Sequence, residues 1–166
     1  PRHQVGVVPY ALKAHRAYSA TWASNIHWNN IQGKPAAEEY AANYKYVIVV
    51  AKEGGQYTSV YDAVQSVSDA AKDKQYLIWV APGTYIETET IVTKPYVHIH
   101  GADPYATHII NLSKDKTLVL QSYVSLRDLS IHNYYTGTNS YAIYANGDSY
   151  GVSEAWLYYV FAYAGN

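Results

Sequence analysis

Short apolar strings recur along this chain at a nearly constant spacing. That repeat limits the fold more than any other feature. Tyr96-Val97-His98-Ile99 returns as Tyr123-Val124-Ser125-Leu126, 27 residues later. Thr90-Ile91-Val92 and Thr117-Leu118-Val119 also stand 27 apart. Val124-Ser125 with Leu129 returns as Val152-Ser153 with Leu157, 28 residues later. A period of roughly 20–50 residues marks stacked structural units. Three short strands per period make one coil of a parallel β-solenoid. Chance matching of valine-rich strings is the alternative, and three agreeing offsets favour the repeat.

The local patterns agree. Tyr46–Ala51 and Tyr76–Ala81 are apolar runs of strand composition, closed by Gly54-Gly55 and Pro82-Gly83. Further strands are expected at 90–93, 96–100, 107–112, 117–121, 124–133, 141–145 and 155–163. Between the first two runs the period changes. Val60, Ala63, Val64, Val67, Ala70 and Ala71 follow helical spacing, and Ser59 with Asp62 fits an N-terminal cap. The expectation is one helix over 59–71. It would shield the open strand edges and apolar end of the first coil.

With 166 residues and 49% hydrophobic content the chain can bury a core. It has no cysteine, so disulfides, thiolate metal sites and a cysteine nucleophile are excluded. A formal net charge of -1 argues against a dedicated nucleic-acid binder. No apolar run approaches the ~18 residues of a membrane-spanning helix. The chain starts at Pro1 with no visible signal peptide, which reads as a processed, trimmed or partial product. Residues 1–45 hold five bases against two acids, and residues 46–166 hold seven against eleven. The first part, with its alanine-rich 10–24 and a Gly33-Lys34-Pro35 turn, lacks the bulk for a core. It reads as an extended N-terminal arm (1–45) ahead of a β-helix domain (46–166). A basic arm beside an acidic body suits head-to-tail pairing, and uneven chance scatter of charge is the other reading.

The run VIVVAKEGGQYTSVYDAVQSVSDA, then YLIWVAPGTYIET, then KPYVHIHGADPYATHII resembles the opening of right-handed parallel β-helix proteins of the pectin-lyase-like superfamily. The order is strand, glycine-rich turn, capping helix, then a strand carrying Gly83-Thr84-Tyr85-Ile86-Glu87. The resemblance covers roughly residues 46–133. It implies a mainly β fold: a short right-handed parallel β-helix with one capping helix. It is specific for fold and poor for function, because enzymes and inert spikes share it. The arm, with VPYALKAHRAYSATWAS and WNNIQGKP, resembles segments of phage tail fibres and large secreted bacterial proteins, implying an extracellular location.

Pectin methylesterases of that superfamily use two aspartates, glutamines and an arginine, within strings resembling QAVAL, DFIFG and LGRPW. None of those strings occurs here. Arg127-Asp128 is an adjacent pair, and neighbours on a strand face opposite sides. Asp103, Asp115, Asp128 and Asp148 are dispersed and read as solvated acids rather than calcium ligands. Two carboxylates for glycoside hydrolysis would require the coils to align Asp128 with Glu154. His98 and His100 alternate with Val97 and Ile99, so both point out of the core, and His132 joins them in a metal site only if the coils align. Surface histidines without metal are the plainer reading. Asn111-Leu112-Ser113 is a glycosylation-type triplet of the kind expected by chance. No catalytic residue, metal or cofactor follows from these patterns.

The remaining signal is aromatic. Of 20 tyrosines, nine fall after Gln121, joined there by Trp156 and Phe161. Such residues serve subunit interfaces, internal ladders or sugar stacking. The expectation is a non-enzymatic structural protomer of an extracellular filament, whose arm docks on a copy of itself. Its interface would use Val5, Val7, Tyr10, Tyr18, Trp22, Trp28 and Ile31 of the arm. From the last coil it would use Tyr150, Trp156, Tyr158, Tyr159, Phe161 and Tyr163. Two alternatives stand beside it. One is a trimeric spike module binding a glycan or receptor, with polysaccharide as partner. The other is a fragment of a carbohydrate-active, pectin-type enzyme.

Overall fold

The structure, a computed structural model, describes residues 44–145, 152 and 154–165. The described strands are all paired in parallel, which only a crossover or a coil permits. Here it is a coil. Strand β1 (Tyr46–Val50) and helix α1 (Val60–Ser66) precede the first complete turn, made of β2 (Tyr76–Val80), β3 (Gly83–Glu87) and β4 (Ile91–Val92). The second turn is β5 (Val97–Gly101), β6 (Thr107–Asn111) and β7 (Lys116–Val119). The third is β8 (Val124–Asn133), which bends across two faces, and β9 (Tyr141–Tyr144). Strand β10 (Ala155–Ala164) lies along the whole of β8 and opens the fourth. The first face stacks β1-β2-β5-β8-β10, the second β3-β6-β8-β10, and the third β4-β7-β9.

Inward residues make one apolar column. Val50, Ile78, Ile99, Leu126, Ile109, Ile131, Ile91 and Leu118 are all buried in it. The period-27 repeat is real on two faces: Ile99 pairs with Leu126, and Ile91 with Leu118. The 28-residue offset is not. Val124 pairs with Ala155 and Leu126 with Leu157, an offset of 31. The matching Val152 lies before the strand, where the Tyr123 N–H donates to the Glu154 carbonyl at 2.6 Å. Ten residues, 145–154, separate β9 from β10, against four, 120–123, between β7 and β8, and this difference carries the apolar string out of register.

The helix is also shorter than its apolar period. Ser59 caps it, accepting from the Asp62 N–H at 3.2 Å, and it ends at Ser66 because Val67 turns extended (φ -82, ψ 120). Val60, Ala63, Val64 and Val67 all enter the core, so helical spacing persists one residue past the helix itself. Its N-terminus has a second partner. Glu87, buried on β3, accepts from the Val60 N–H and from the Ser59 hydroxyl, both at 2.7 Å. A carboxylate at a helix N-terminus meets unpaired N–H groups and the positive end of the dipole.

The motif Gly83–Glu87 thereby acquires a physical meaning. Gly83 takes φ +152, Tyr85 is buried with its hydroxyl donating to the Ala81 carbonyl at 2.9 Å, and Glu87 locks the cap. Burial pushes the Tyr85 phenol up to about 12.

The corner between the first two faces varies in length, with two residues, 81–82, in the first turn. In the second turn it takes five residues, 102–106. In the third it is Asp128 alone, at φ 52, and Tyr159 repeats the conformation at φ 50 on the next. A Cβ on Gly101, below this corner, would stand 2.2 Å from the Asp128 carbonyl oxygen. At the far end of the second face, Asn111 and Asn133 are register partners and fully buried. Asn111 accepts from the Ser113 and Lys114 N–H groups, both at 2.8 Å, and donates to the Glu89 carbonyl at 2.9 Å. The glycosylation-type triplet is therefore a structural turn: its asparagine amide is internal.

Candidate functional site

The outward side of the first face carries the chemistry. Strand alternation sends Val97, Ile99, Val124 and Leu126 inward, and His98, His100, Ser125 and Arg127 outward. The next coil adds Trp156 beside Ser125 and Tyr158 beside Arg127. The preceding coil places buried Leu77 and Trp79 beside His98 and His100.

Two adjoining hollows run along this face. One, of about 300 Å³, is lined by Tyr44, His98, His100, Ser125, Arg127, Trp156 and Tyr158. The other, of about 430 Å³, is lined by Lys72, Gln75, Tyr96, His98, Tyr123, Glu154 and Trp156. They share His98 and Trp156, so they form one groove. Tyr96 and Tyr123 form an aromatic step along it, with ring centroids 5.0 Å apart and planes within 2°. Both sit at positive φ, 64 and 60, which repeats one turn conformation in successive coils.

The two histidines are not surface residues, contrary to the expectation. Each is only 6% exposed. The Tyr44 ring packs on both, at 5.0 and 5.8 Å. Burial holds the His98 imidazole down at about 4, and burial with the neighbouring His98 and Arg127 charges does the same for His100. Both rings are therefore neutral at pH 7 and must hydrogen-bond as one donor and one acceptor. The Ser125 hydroxyl lies between them, 2.8 Å from His98 Nδ1 and 2.9 Å from His100 Nε2. His98 Nε2 contacts Gln75 Oε1 at 3.1 Å.

His132 does not join this pair. It lies on the second face beside His108, with ring centroids 5.8 Å apart. Asp128 and Glu154 are not aligned either. Asp128 occupies the corner between Arg127 and Leu129, whose partners are Tyr158 and Val160, whereas Glu154 precedes β10 at its other end. Arg127 and Asp128 do not face apart. The left-handed turn at Asp128 brings its carboxylate to Arg127 Nε at 2.9 Å.

Of the expected interface residues, Trp156, Tyr158, Tyr159, Phe161 and Tyr163 lie on β10 and are exposed, Tyr159 the most at 74%. Trp156 and Tyr158 turn to the groove, and Phe161 meets Tyr105 edge to face at 5.2 Å. Val5, Val7, Tyr10, Tyr18, Trp22, Trp28, Ile31 and Tyr150 lie outside the described residues, as does nearly all of the arm. The sequence reading passed over Ser125 and Gln75 as site residues. The signal was present, since the 27-residue repeat already set Ser125 opposite His98.

The coil order, the helix ahead of the first turn and the parallel register define a parallel β-helix. The chain matches no family model and no curated protein sequence. Solved structures do match. A pectin methylesterase mutant in complex with hexasaccharide IV superposes with a TM-score of 0.57 at 20% identity, over 70% of this chain and 42% of that one. Pectin methylesterase PemA from Erwinia chrysanthemi gives 0.56 at 18% identity, with the same coverage. Pectin methylesterase from carrot gives 0.54 at 21%, over 69% of this chain and 38% of that one. This chain thus spans less than half the length of these proteins. The matches correct the expectation of a non-enzymatic filament protomer. The proteins that share the fold are enzymes, and they favour the enzyme-fragment alternative. Among the described residues, no helix is long and apolar enough to cross a membrane.

Proposed function

We propose that this chain is part of a carbohydrate-active enzyme that holds an ester-bearing uronate polysaccharide, outside the cell, in the groove of the first face. The observation that carries the reading is the combination in that groove of aromatic rings with few, balanced charges. Tyr96, Tyr123, Trp156 and Tyr158 offer apolar ring faces, on which the C–H faces of sugars stack. Lys72 and Arg127 are offset by Glu154 and by Asp128, the ion-pair partner of Arg127. A groove so balanced suits a chain whose carboxyl groups are masked as esters better than a fully ionised one. The pectin methylesterases that share the fold, two of these structures being hexasaccharide complexes, support the same substrate class.

Calorimetric titration with esterified and de-esterified oligogalacturonate tests this. The expected result is saturable binding that favours the esterified form and weakens about tenfold in Trp156→Ala, the loss of one stacking contact of about 1.4 kcal/mol. Equal affinity in Trp156→Ala, or no binding, overturns it.

A further inference from the structure

We propose that Ser125 is a nucleophile and that His98, oriented by Gln75, is its general base, forming an ester-cleaving relay on the floor of the groove. This rests on the same groove as the function proposed above, but not on which polysaccharide fills it.

Gln75 sets a direction for the hydrogen bonds. Gln75 Nε2 donates to the Lys72 carbonyl at 3.1 Å, which turns its Oε1 toward His98. His98 Nε2 must then carry the proton and donate to that oxygen. Its Nδ1 is left as an acceptor, and the Ser125 backbone N–H donates to it at 3.1 Å. The Ser125 hydroxyl oxygen lies closer to the same Nδ1, at 2.8 Å, and in the proposed relay it hands its proton to that nitrogen. His100 Nε2 lies 2.9 Å from Ser125 Oγ on its other side, and in the relay it is the nitrogen that donates to that oxygen. A hydroxyl bonded to an imidazole whose far nitrogen is held by a third group is the arrangement of an activated nucleophile.

The position is also right for a substrate. Ser125 is 9% exposed at the groove floor, with Trp156 as its register partner on the next coil and Arg127 two residues on. A pyranose ring stacked on Trp156 would set its C-5 ester over Ser125 Oγ. The steps balance as an ester hydrolysis. Oγ adds to the carbonyl carbon as its proton passes to His98 Nδ1. The carbonyl π pair moves to oxygen, where Arg127 and the His100 Nε2–H stabilise the charge. The C–O bond to the alkyl group breaks, and His98 returns the proton to the departing alkoxide as an alcohol. Water then adds to the acyl-serine, giving its proton to His98. Ser125 leaves with that proton, and the free acid is released.

The second face supplies an internal contrast. His108 Nδ1 lies 2.6 Å from Ser130 Oγ, but Ser130 is 2% exposed and bonds back to the Thr107 carbonyl at 3.3 Å. There the histidines are partly exposed but the serine hydroxyl is closed off from a substrate.

The test is labelling of the full chain with an alkyl fluorophosphonate, in which a serine oxygen displaces fluoride from phosphorus, followed by peptide mass spectrometry. The expected outcome is one adduct, on Ser125 and not on Ser130, absent in Ser125→Ala. The rate should fall on the order of 100-fold in His98→Gln, the usual share of a general base. Gln75 is exposed, so Gln75→Ala keeps the fold and should also slow labelling if His98→Gln does not fold. No adduct on Ser125, or a rate unchanged in these variants, overturns the proposal. Labelling needs no sugar. A labelled Ser125 in a chain that binds no oligogalacturonate sinks the polysaccharide reading alone, and sugar binding without labelling sinks the relay alone.

Discussion

Lowering the pH should destabilise this protein through two particular histidines. His98 and His100 have pKa values near 4 in the fold, against an ordinary 6.5, chiefly because they are buried. One pKa unit corresponds to about 1.4 kcal/mol, so a shift of this size is worth roughly 3 kcal/mol for one ring. The sign follows from which state takes the proton. The folded value is the depressed one, so the unfolded chain is protonated first as pH falls. The stabilisation is complete above pH 6.5 and is lost progressively as pH drops toward 4. The two rings are not additive, because part of the His100 shift is the charge of His98. A combined loss of about 3–5 kcal/mol is a large fraction of the roughly 5–15 kcal/mol that stabilises a domain. Thermal unfolding followed by circular dichroism at pH 7 and pH 4 measures it. At about 2–4 °C per kcal/mol, the melting temperature should fall by about 10 °C from this source. The control is His98→Gln/His100→Gln, in which the drop between the two pH values should shrink by that amount, whatever its stability at pH 7. An equal acid-induced drop in the variant would refute the assignment. So would His98 and His100 imidazole resonances titrating near 6.5.

Two structural devices have their own tests. Gly101→Ala places a methyl 2.2 Å from the Asp128 carbonyl oxygen and 2.8 Å from Leu129 Cβ, so it should cost about 1–3 kcal/mol or more in denaturant unfolding. A neutral Gly101→Ala would mean that the corner does not pack this closely. Glu87→Ala removes the partner of Ser59 and of the Val60 N–H, and should cost about 3 kcal/mol in the same assay, with loss of helical signal. An unchanged helix signal would show that Glu87 does not hold the cap.

The fold was largely legible because a solenoid writes its geometry as repeated spacing. The 27-residue offset places Ile91 over Leu118 and Ile99 over Leu126, as the register has it. The last coil misled because Val152-Ser153 copies the Val124-Ser125 string ahead of the strand, and only the ladder from Ala155 onward shows the true offset. The helix was overextended because Val67 stays in the core after the backbone leaves the helix. The site was legible in part. Alternation placed His98 and His100 on the outward side, but it cannot show that Tyr44, Leu77 and Trp79 surround them. Ser125 carried no motif of its own. It matters through a partner 27 residues away and through Gln75, 23 residues from that partner, and the link between them exists only in three dimensions. The exposed aromatics of β10 fit a subunit contact or a sugar platform, and composition alone does not separate the two.

The most direct measurement is a crystal structure of the chain with an esterified hexagalacturonate. The account requires a sugar ring stacked on Trp156, with its C-5 ester beside Ser125 Oγ and within reach of Arg127. Sugar bound elsewhere on the solenoid, with the Ser125 groove empty, would contradict it.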